Sequence, residues 1–268
     1  MNAPQPAYTL EQAISNLQQT EDTSARYYAA WWLGRFRVQD ERAFEALIMA
    51  LEDESDRSPD GGYPLRRNAA KALGKLGYPQ AVTPLLQALH CPDYYVREAA
   101  VRGLAELQDQ RAIGPLMDLL AGGVSAAQWV LDKPHLTQPY EAILEALGSL
   151  GATAAIGEIE PFLEHFSPKV QYAAARSLYQ LTRNPQYGDR LIQALQGPDL
   201  QLRRSAMMDL GASGYLPGAS AIATTFTENS LKLIALRDLW MAHRQYHPLE
   251  PLLSPTSDSI LQLMDDLL

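Results

Sequence analysis

The densest group of chemically capable side chains lies in the stretch Ala121–Gln138. There Trp129, Asp132, Lys133 and His135 offer an aromatic ring, an acid, a cation and a base within seven positions. Such a set is competent for acid–base work, although a solvated loop of this composition is the commoner occurrence. His90–Cys91 is a second candidate, because an imidazole beside a thiol favours the thiolate. It falls in a His-Cys-Pro-Asp turn, where a lone cysteine is ordinarily inert. No P-loop, dinucleotide glycine fingerprint, His-Glu-x-x-His, Cys-x-x-Cys or Gly-x-Ser-x-Gly occurs. The five histidines, His90, His135, His165, His243 and His247, stand singly, which argues against a metal site.

The elements that must carry these residues repeat. An Arg-like position, a small residue three on and a Leu seven on recur as Arg26/Ala29/Leu33, Arg66/Ala69/Leu73, Arg97/Ala100/Leu104 and Tyr140/Ile143/Leu147. They continue as Gln171/Ala174/Leu178, Arg203/Ala206/Leu210 and Lys232/Ala235/Leu239, at offsets of 40, 31, 43, 31, 32 and 29 residues. A period near thirty with helical spacing predicts an all-α, right-handed α-solenoid of about seven HEAT-like (armadillo-type) two-helix repeats. Second helices follow over Ala43–Leu51, Ala81–Leu89, Ala112–Leu120 and Tyr187–Leu195, with Pro84, Pro115 and Pro161 early in theirs. Gly34, Gly74, Gly77, Gly148, Gly151 and Gly211 fall near helix ends and are expected as caps and turns.

The expected organisation is one elongated domain over residues 1–268. It comprises an N-terminal cap helix (1–23), repeats (24–245) and a Pro/Ser-rich linker leading to an amphipathic C-terminal helix (246–268). Insertions at 52–64 and 121–138 lengthen two inter-repeat connections, and loops of that kind tend to carry binding chemistry. Ile260, Leu261, Met264, Leu267 and Leu268 need a covering surface, either the last repeat or a partner. With 47% hydrophobic residues the chain can bury a continuous inter-repeat core, and a single cysteine fits a reducing, cytoplasmic compartment. No signal-type or membrane-spanning run is expected, and a net charge of −9 weighs against nucleic acid, including a DNA-glycosylase-like reading of the repeats.

Aligned columns single out the first repeat. Trp31 occupies a column otherwise held by Lys71, Arg102, Glu145, Arg176, Met208 and Arg237, which faces water. Tyr27, Trp31 and Arg35, at i, i+4 and i+8, form one ridge, expected to be a ligand platform or partner interface. Trp32 shares its column with small or acidic residues and is expected to cap the open end, under Leu10–Leu17. The ladder Arg26, Arg66, Arg97, Arg203 and Lys232 has an acidic residue four positions earlier in every case but Arg66. Asp-to-Arg pairing at each helix start is therefore expected as scaffolding, and Arg66 as the member free for an anionic ligand.

The segment Tyr27–Val38, Y-Y-A-A-W-W-L-G-R-F-R-V, resembles the E-type subunit of the cyanobacterial phycocyanobilin lyases, built from phycobilisome-lyase HEAT-like repeats. The resemblance runs over essentially the whole chain, including the repeat Leu65–Gly77 (L-R-R-N-A-A-K-A-L-G-K-L-G), and the subtype acting on the phycocyanin α-subunit fits best. It implies an enzyme of two chains, this one and an F-type partner. Together they attach phycocyanobilin by a thioether bond to a cysteine of the phycocyanin α-subunit apoprotein. The pigment is then a transiently bound substrate, with no permanent cofactor, metal, nucleic acid or membrane insertion. The nucleophile belongs to the acceptor protein, so the chain needs none of its own. On this resemblance Tyr27, Tyr28, Trp31 and Trp129 bind pigment or partner. Arg35, Arg37 and Arg66 pair with the bilin propionates, and Asp132 and His135 assist protonation. An isomerising or other-bilin lyase subunit, or a non-enzymatic bilin or phycobiliprotein chaperone, would share the scaffold.

Overall fold

In a computed structural model, residues 8–246 and 254–268 are described; His247 and most of the expected Pro/Ser linker lie outside them. The fold is all-α among the described residues. The helices are α1 (Leu10–Gln18), α2 (Thr23–Arg35), α3 (Glu41–Glu52), α4 (Pro64–Leu76), α5 (Val82–Ala88), α6 (Tyr94–Leu107), α7 (Ile113–Asp118) and α8 (Gly123–Ala126). They continue with α9 (Tyr140–Ser149), α10 (Ile156–Ile159), α11 (Pro168–Thr182), α12 (Pro185–Ala194), α13 (Leu200–Ser213), α14 (Ala219–Thr224), α15 (Asn229–Tyr246) and α16 (Pro255–Asp265). The long helices α2, α4, α6, α9, α11, α13 and α15 carry the seven copies of the repeat frame. Their Ala and Leu positions, Ala29, Leu33, Ala69, Leu73, Ala100 and Leu104 among them, are fully buried.

Backbone contacts divide the chain into two units, residues 1–121 with 126–146, and residues 122–125 with 147–268. In the first unit α2, α4 and α6 pack in succession, with α3 and α5 as their second helices and α1 closing the near end. In the second unit α11, α13 and α15 stack in the same way. Pro84 and Pro115 fall in the first turns of α5 and α7, as their missing N–H requires.

The helix-end glycines separate into two kinds. Gly77 closes α4 in the left-handed conformation at φ 78°, and Gly151 has φ 70°. Gly34, Gly74, Gly148 and Gly211 instead lie within helices, where they let neighbouring backbones touch. A Cβ on Gly74 would stand 2.4 Å from the Cα of Gly103, and one on Gly34 2.7 Å from the Cα of Ala72.

The C-terminal helix is covered by its own unit. Ile260 is buried with Leu210, Ile222, Leu236 and Leu239, and Met264 and Leu267 pack against the same core. Trp240 Nε1 donates to Ser257 Oγ at 2.9 Å, and Asn229 Nδ2 donates to the Leu267 carbonyl at 2.9 Å. Leu261 and Leu268 point outward. At the other end Ala13 and Leu17 of α1 are buried. Tyr8 meets Tyr28 edge-on, and Trp32 lies between Tyr8 and Phe36, so Trp32 belongs to a terminal aromatic cap.

Candidate functional site

The ladder of basic residues shows how loops are held onto helix starts. The acidic residues cap their own helices: Asp22 accepts from Ala25 N, Asp93 from Tyr95 N and Asp199 from Leu202 N. The guanidinium groups do not pair with these caps but with inter-repeat loops. Arg26 donates to Leu17 O, Ser55 Oγ and Asp53 Oδ2. Arg203 donates to the carbonyls of Gly197, Pro198 and Phe226. Arg66 donates to the carbonyls of Asp53 and Glu52 and pairs with Glu54 at 3.2 Å. The expectation that Arg66 stands free is therefore corrected. Its acidic partner lies twelve positions back in the first insertion instead of four, and its side chain is only 14% exposed.

The two insertions meet. A cleft of about 610 Å³ is lined by Arg57–Pro64 residues from the first and Val130–Thr137 residues from the second, with Tyr27 of α2, Arg67 of α4 and Tyr94, Tyr95 and Arg97 of α6. All of these residues belong to the first unit. The first insertion is anchored by Tyr63, which is buried against Cys91 and Val96. Two guanidinium groups lie over the Tyr63 ring, Arg57 at 4.0 Å and Arg66 at 4.2 Å from its centroid. The turn above it, Ser58 to Gly62, closes through Gly61 N to Ser58 O and Gly62 N to Ser58 Oγ.

The second insertion folds back as a short antiparallel turn, with Val130 N donating to His135 O and Thr137 N to Gln128 O. Asp132 sits at its tip in the left-handed conformation, φ 58°, exposed. His135 lies half-buried, stacked on Tyr94 with centroids 4.2 Å apart and planes at 12°, and edge-on to Tyr95. Its Nδ1 is 2.9 Å from the Leu136 carbonyl, which can only accept. The ring proton therefore sits on Nδ1, and Nε2 is left for a ligand.

Charge in the cleft runs against that of the chain. Arg57, Arg67, Arg97 and Lys133 face only Asp60 and Asp93 among the lining residues. Ser58, with Lys133 nearby, holds the Asp60 carboxyl below its usual range. Burial, reinforced by Glu98 and Glu141, pushes the Tyr94 phenol up, so it remains a hydrogen-bond donor. Arg97 is fully engaged with loop acceptors, whereas Arg67 only rests on the Tyr95 ring at 5.0 Å. Half-buried and with its N–H groups unspent among the described residues, Arg67 is the guanidinium best placed to receive a carboxylate.

Of the residues singled out from sequence, Tyr27, Lys133 and His135 line this cleft, with Arg97 of the basic ladder; Tyr28, Trp31, Arg35, Arg37, Arg66, Trp129 and Asp132 do not. Tyr28 and Trp31 pack on one another, tilted by 31° with centroids 5.3 Å apart, on the exposed face of α2, Trp31 being 43% exposed. Arg35 is exposed on the same helix and makes no ion pair among the described residues. Arg37, at φ 48°, donates to the Lys75 carbonyl at the end of α4. Trp129 is 58% exposed on the second insertion, and Asp132 points to solvent. Arg57, Arg67, Tyr94 and Tyr95 are lining residues that the sequence did not nominate. The available signal was the column of Tyr27, which Arg67 shares.

Cys91 is buried beneath Tyr63. No cluster of His, Cys, Asp and Glu able to hold a metal occurs among the described residues, and no described helix is long and apolar enough to cross a membrane.

Stacked helix pairs, with a cationic, aromatic cleft in the first unit, define a HEAT-repeat protein. HEAT repeats match residues 10–82 and 59–131, and a PBS lyase HEAT-like repeat matches 170–197. The phycocyanobilin lyase subunit alpha of Synechocystis sp. is 69% identical over 265 residues, covering 98% of this chain and 97% of that protein. That of Picosynechococcus sp. is 61% identical over 262 residues, with 98% and 97% covered. A solved complex of CpcE and CpcF of phycocyanin lyase from Nostoc sp. contains a chain matching at a TM-score of 0.89 and 55% identity, covering 99% of this chain and 97% of that one. The chain belongs to the phycocyanobilin lyase alpha-subunit family, as the resemblance of Tyr27–Val38 indicates.

Proposed function

We propose that this chain, together with an F-type partner, attaches phycocyanobilin to a cysteine of the phycocyanin α-subunit, and that the cleft of the first unit holds the pigment. The observation that carries the assignment to the cleft is the meeting of both insertions around Arg67 in an otherwise acidic protein. A volume of about 610 Å³ falls in the range of about 300–1,000 Å³ that accommodates ligands of this size. Tyr27, Tyr94 and Tyr95 supply ring surface for a tetrapyrrole, and Arg67 and Lys133 pair with its propionates.

In the reaction the acceptor thiol adds across the A-ring ethylidene double bond. Sulfur bonds to the ethylidene carbon and a proton is taken up by the conjugated pigment, so nothing leaves. The lyase holds the two reactants in register. His135, fixed by its Tyr94 stack and its Leu136 bond, is the proton-handling group offered to the pigment. Asp132 lies exposed at the tip of the same turn, outside the cleft lining. The exposed Tyr28, Trp31 and Arg35 surface suits the partner subunit better than the pigment, since none of the three lines the cleft. The pigment is a transient substrate, and the site of action is the cytoplasm.

The test is co-expression of the chain with an F-type subunit, the α-phycocyanin apoprotein and a phycocyanobilin source, with zinc-induced fluorescence of the denatured acceptor as readout. Correct attachment is expected to require this chain. Attachment at equal rate and fidelity without it overturns the assignment, and pigment binding without transfer identifies a chaperone instead.

A further inference from the structure

The first turn of α6 does something that its counterparts do not. Asp93 caps its own helix through Oδ1, accepting from Tyr95 N at 2.7 Å, and through Oδ2 accepts from Tyr63 N at 2.6 Å. Tyr63 is the anchor of the first insertion, thirty positions away. Arg97, one turn on, donates to the carbonyls of Cys91 and Pro92 at 2.8 and 3.1 Å, in the loop that precedes α6. It also donates to Thr137 O at 3.0 Å and Gln138 Oε1 at 2.9 Å, in the second insertion. The equivalent pair in the second unit, Asp199 and Arg203, shows the generic form. Asp199 Oδ1 caps its helix, and Arg203 staples the loop before α13 to the loop after α14. In α6 the same pair holds both walls of the cleft.

We infer that Asp93 and Arg97 are positioning residues for pigment binding: a single helical turn clamps the two insertions and so sets the width of the cleft between them. The inference rests on the reading of that cleft as the pigment site. Arg97 lines the cleft, yet four acceptors occupy its guanidinium, so its contribution passes through the loop it holds and not through the ligand. Asparagine matches the shape of Asp93 but not its two acceptors. An amide keeps one acceptor for the Tyr95 N–H but turns donor hydrogens towards the Tyr63 N–H, which opens the first wall. Arg97→Lys keeps the charge but cannot span four acceptors in two loops.

The experiment measures pigment transfer by the full chain with its F-type partner for Asp93→Asn, Arg97→Lys, Arg67→Ala and the control pair Asp199→Asn and Arg203→Lys. KM for phycocyanobilin and kcat are separated, with kcat normalised to folded protein. Asp93→Asn and Arg97→Lys are expected to raise KM about tenfold, the effect of losing about one hydrogen bond's worth of ordered site. The controls, which break the same scaffold bonds away from the cleft, leave KM within about twofold. A purely structural role lowers the folded fraction and leaves KM alone in all four variants, and that result overturns the inference. Equal KM changes in the α6 and α13 pairs overturn it as well. In either case the pigment cleft itself stands if Arg67→Ala still raises KM. If Arg67→Ala also leaves KM unchanged, the cleft reading fails with it.

Discussion

Neighbouring arginines on α4, Arg66 and Arg67, should separate folding from ligand binding, since they lie about 100° apart around the helix. Arg66 donates to two loop carbonyls, and its ion pair with Glu54 contributes little because Glu54 is 81% exposed. Each bond from a charged donor is worth about 1.5–3 kcal/mol, and the stack on Tyr63 about 0.5–1 kcal/mol. Allowing for partial rescue of the carbonyls by water, Arg66→Ala should destabilise the first unit by about 2–4 kcal/mol. Arg67 contributes only its contact with Tyr95, so Arg67→Ala should cost at most about 1 kcal/mol of stability. Its expected effect is on pigment, where loss of a charge-assisted bond to a propionate weakens binding by about 1.5–3 kcal/mol, about tenfold to a hundredfold. Urea unfolding and absorbance titration with phycocyanobilin measure the two quantities on the same samples. Pigment binding by Arg67→Ala within about twofold of the parent refutes this division of roles, as does Arg66→Ala weakening pigment while leaving the urea midpoint unmoved.

Three further outcomes follow from the same geometry. Gly74→Ala drives a methyl into the Gly103 backbone and should cost about 1–3 kcal/mol or more, seen as a lowered thermal midpoint; an unchanged midpoint contradicts the close approach of α4 and α6. Burial pushes the Asp53 carboxyl up, but hydrogen bonds from Arg26, Ser55 and the Asp56 amide outweigh it and hold it down to about 2, against an ordinary 3.8. Its stabilisation is therefore complete above pH 3.8 and lost as the pH falls towards 2. The difference in unfolding free energy between the parent and Asp53→Asn should shrink by about 2 kcal/mol over that range, and a constant difference rules this out. Trp31→Ala removes an exposed ring outside the cleft and should weaken association with the F-type subunit about tenfold or more while sparing pigment affinity, as analytical ultracentrifugation and absorbance titration would report.

The repeat frame was legible because it is local. Positions i, i+3 and i+7 meet a neighbouring helix wherever they occur, and Ala29, Leu33 and their counterparts are buried accordingly. The exposure of Tyr27, Trp31 and Arg35 followed from the same alignment of columns. The glycines were harder. Gly74 and Gly77 are three positions apart and look alike in sequence, yet one ends a helix and the other admits a neighbouring backbone. Arg66 departs from expectation for a related reason: pairing four residues back is a contact within one turn, whereas its acceptors lie in a loop twelve to fourteen positions earlier.

Family, helical class and the presence of two insertions were written in Tyr27–Val38, in the thirty-residue period and in the two long offsets. Side-chain pattern along a helix is set by geometry common to all helices, so these could be read one residue after another. The site itself was decided by tertiary structure. Residues from 57 to 64 and from 130 to 137 meet through bonds to distant positions, Tyr63 N to Asp93 and Arg97 to Thr137 and Gln138 among them, and a net charge of −9 says nothing of where four cations gather. Trp129, Asp132, Lys133 and His135 are close in sequence, but the turn they form sends His135 and Lys133 into the cleft lining and leaves Trp129 and Asp132 outside it. Which face of a loop meets the protein depends on hydrogen bonds to distant backbone, and no local spacing encodes those.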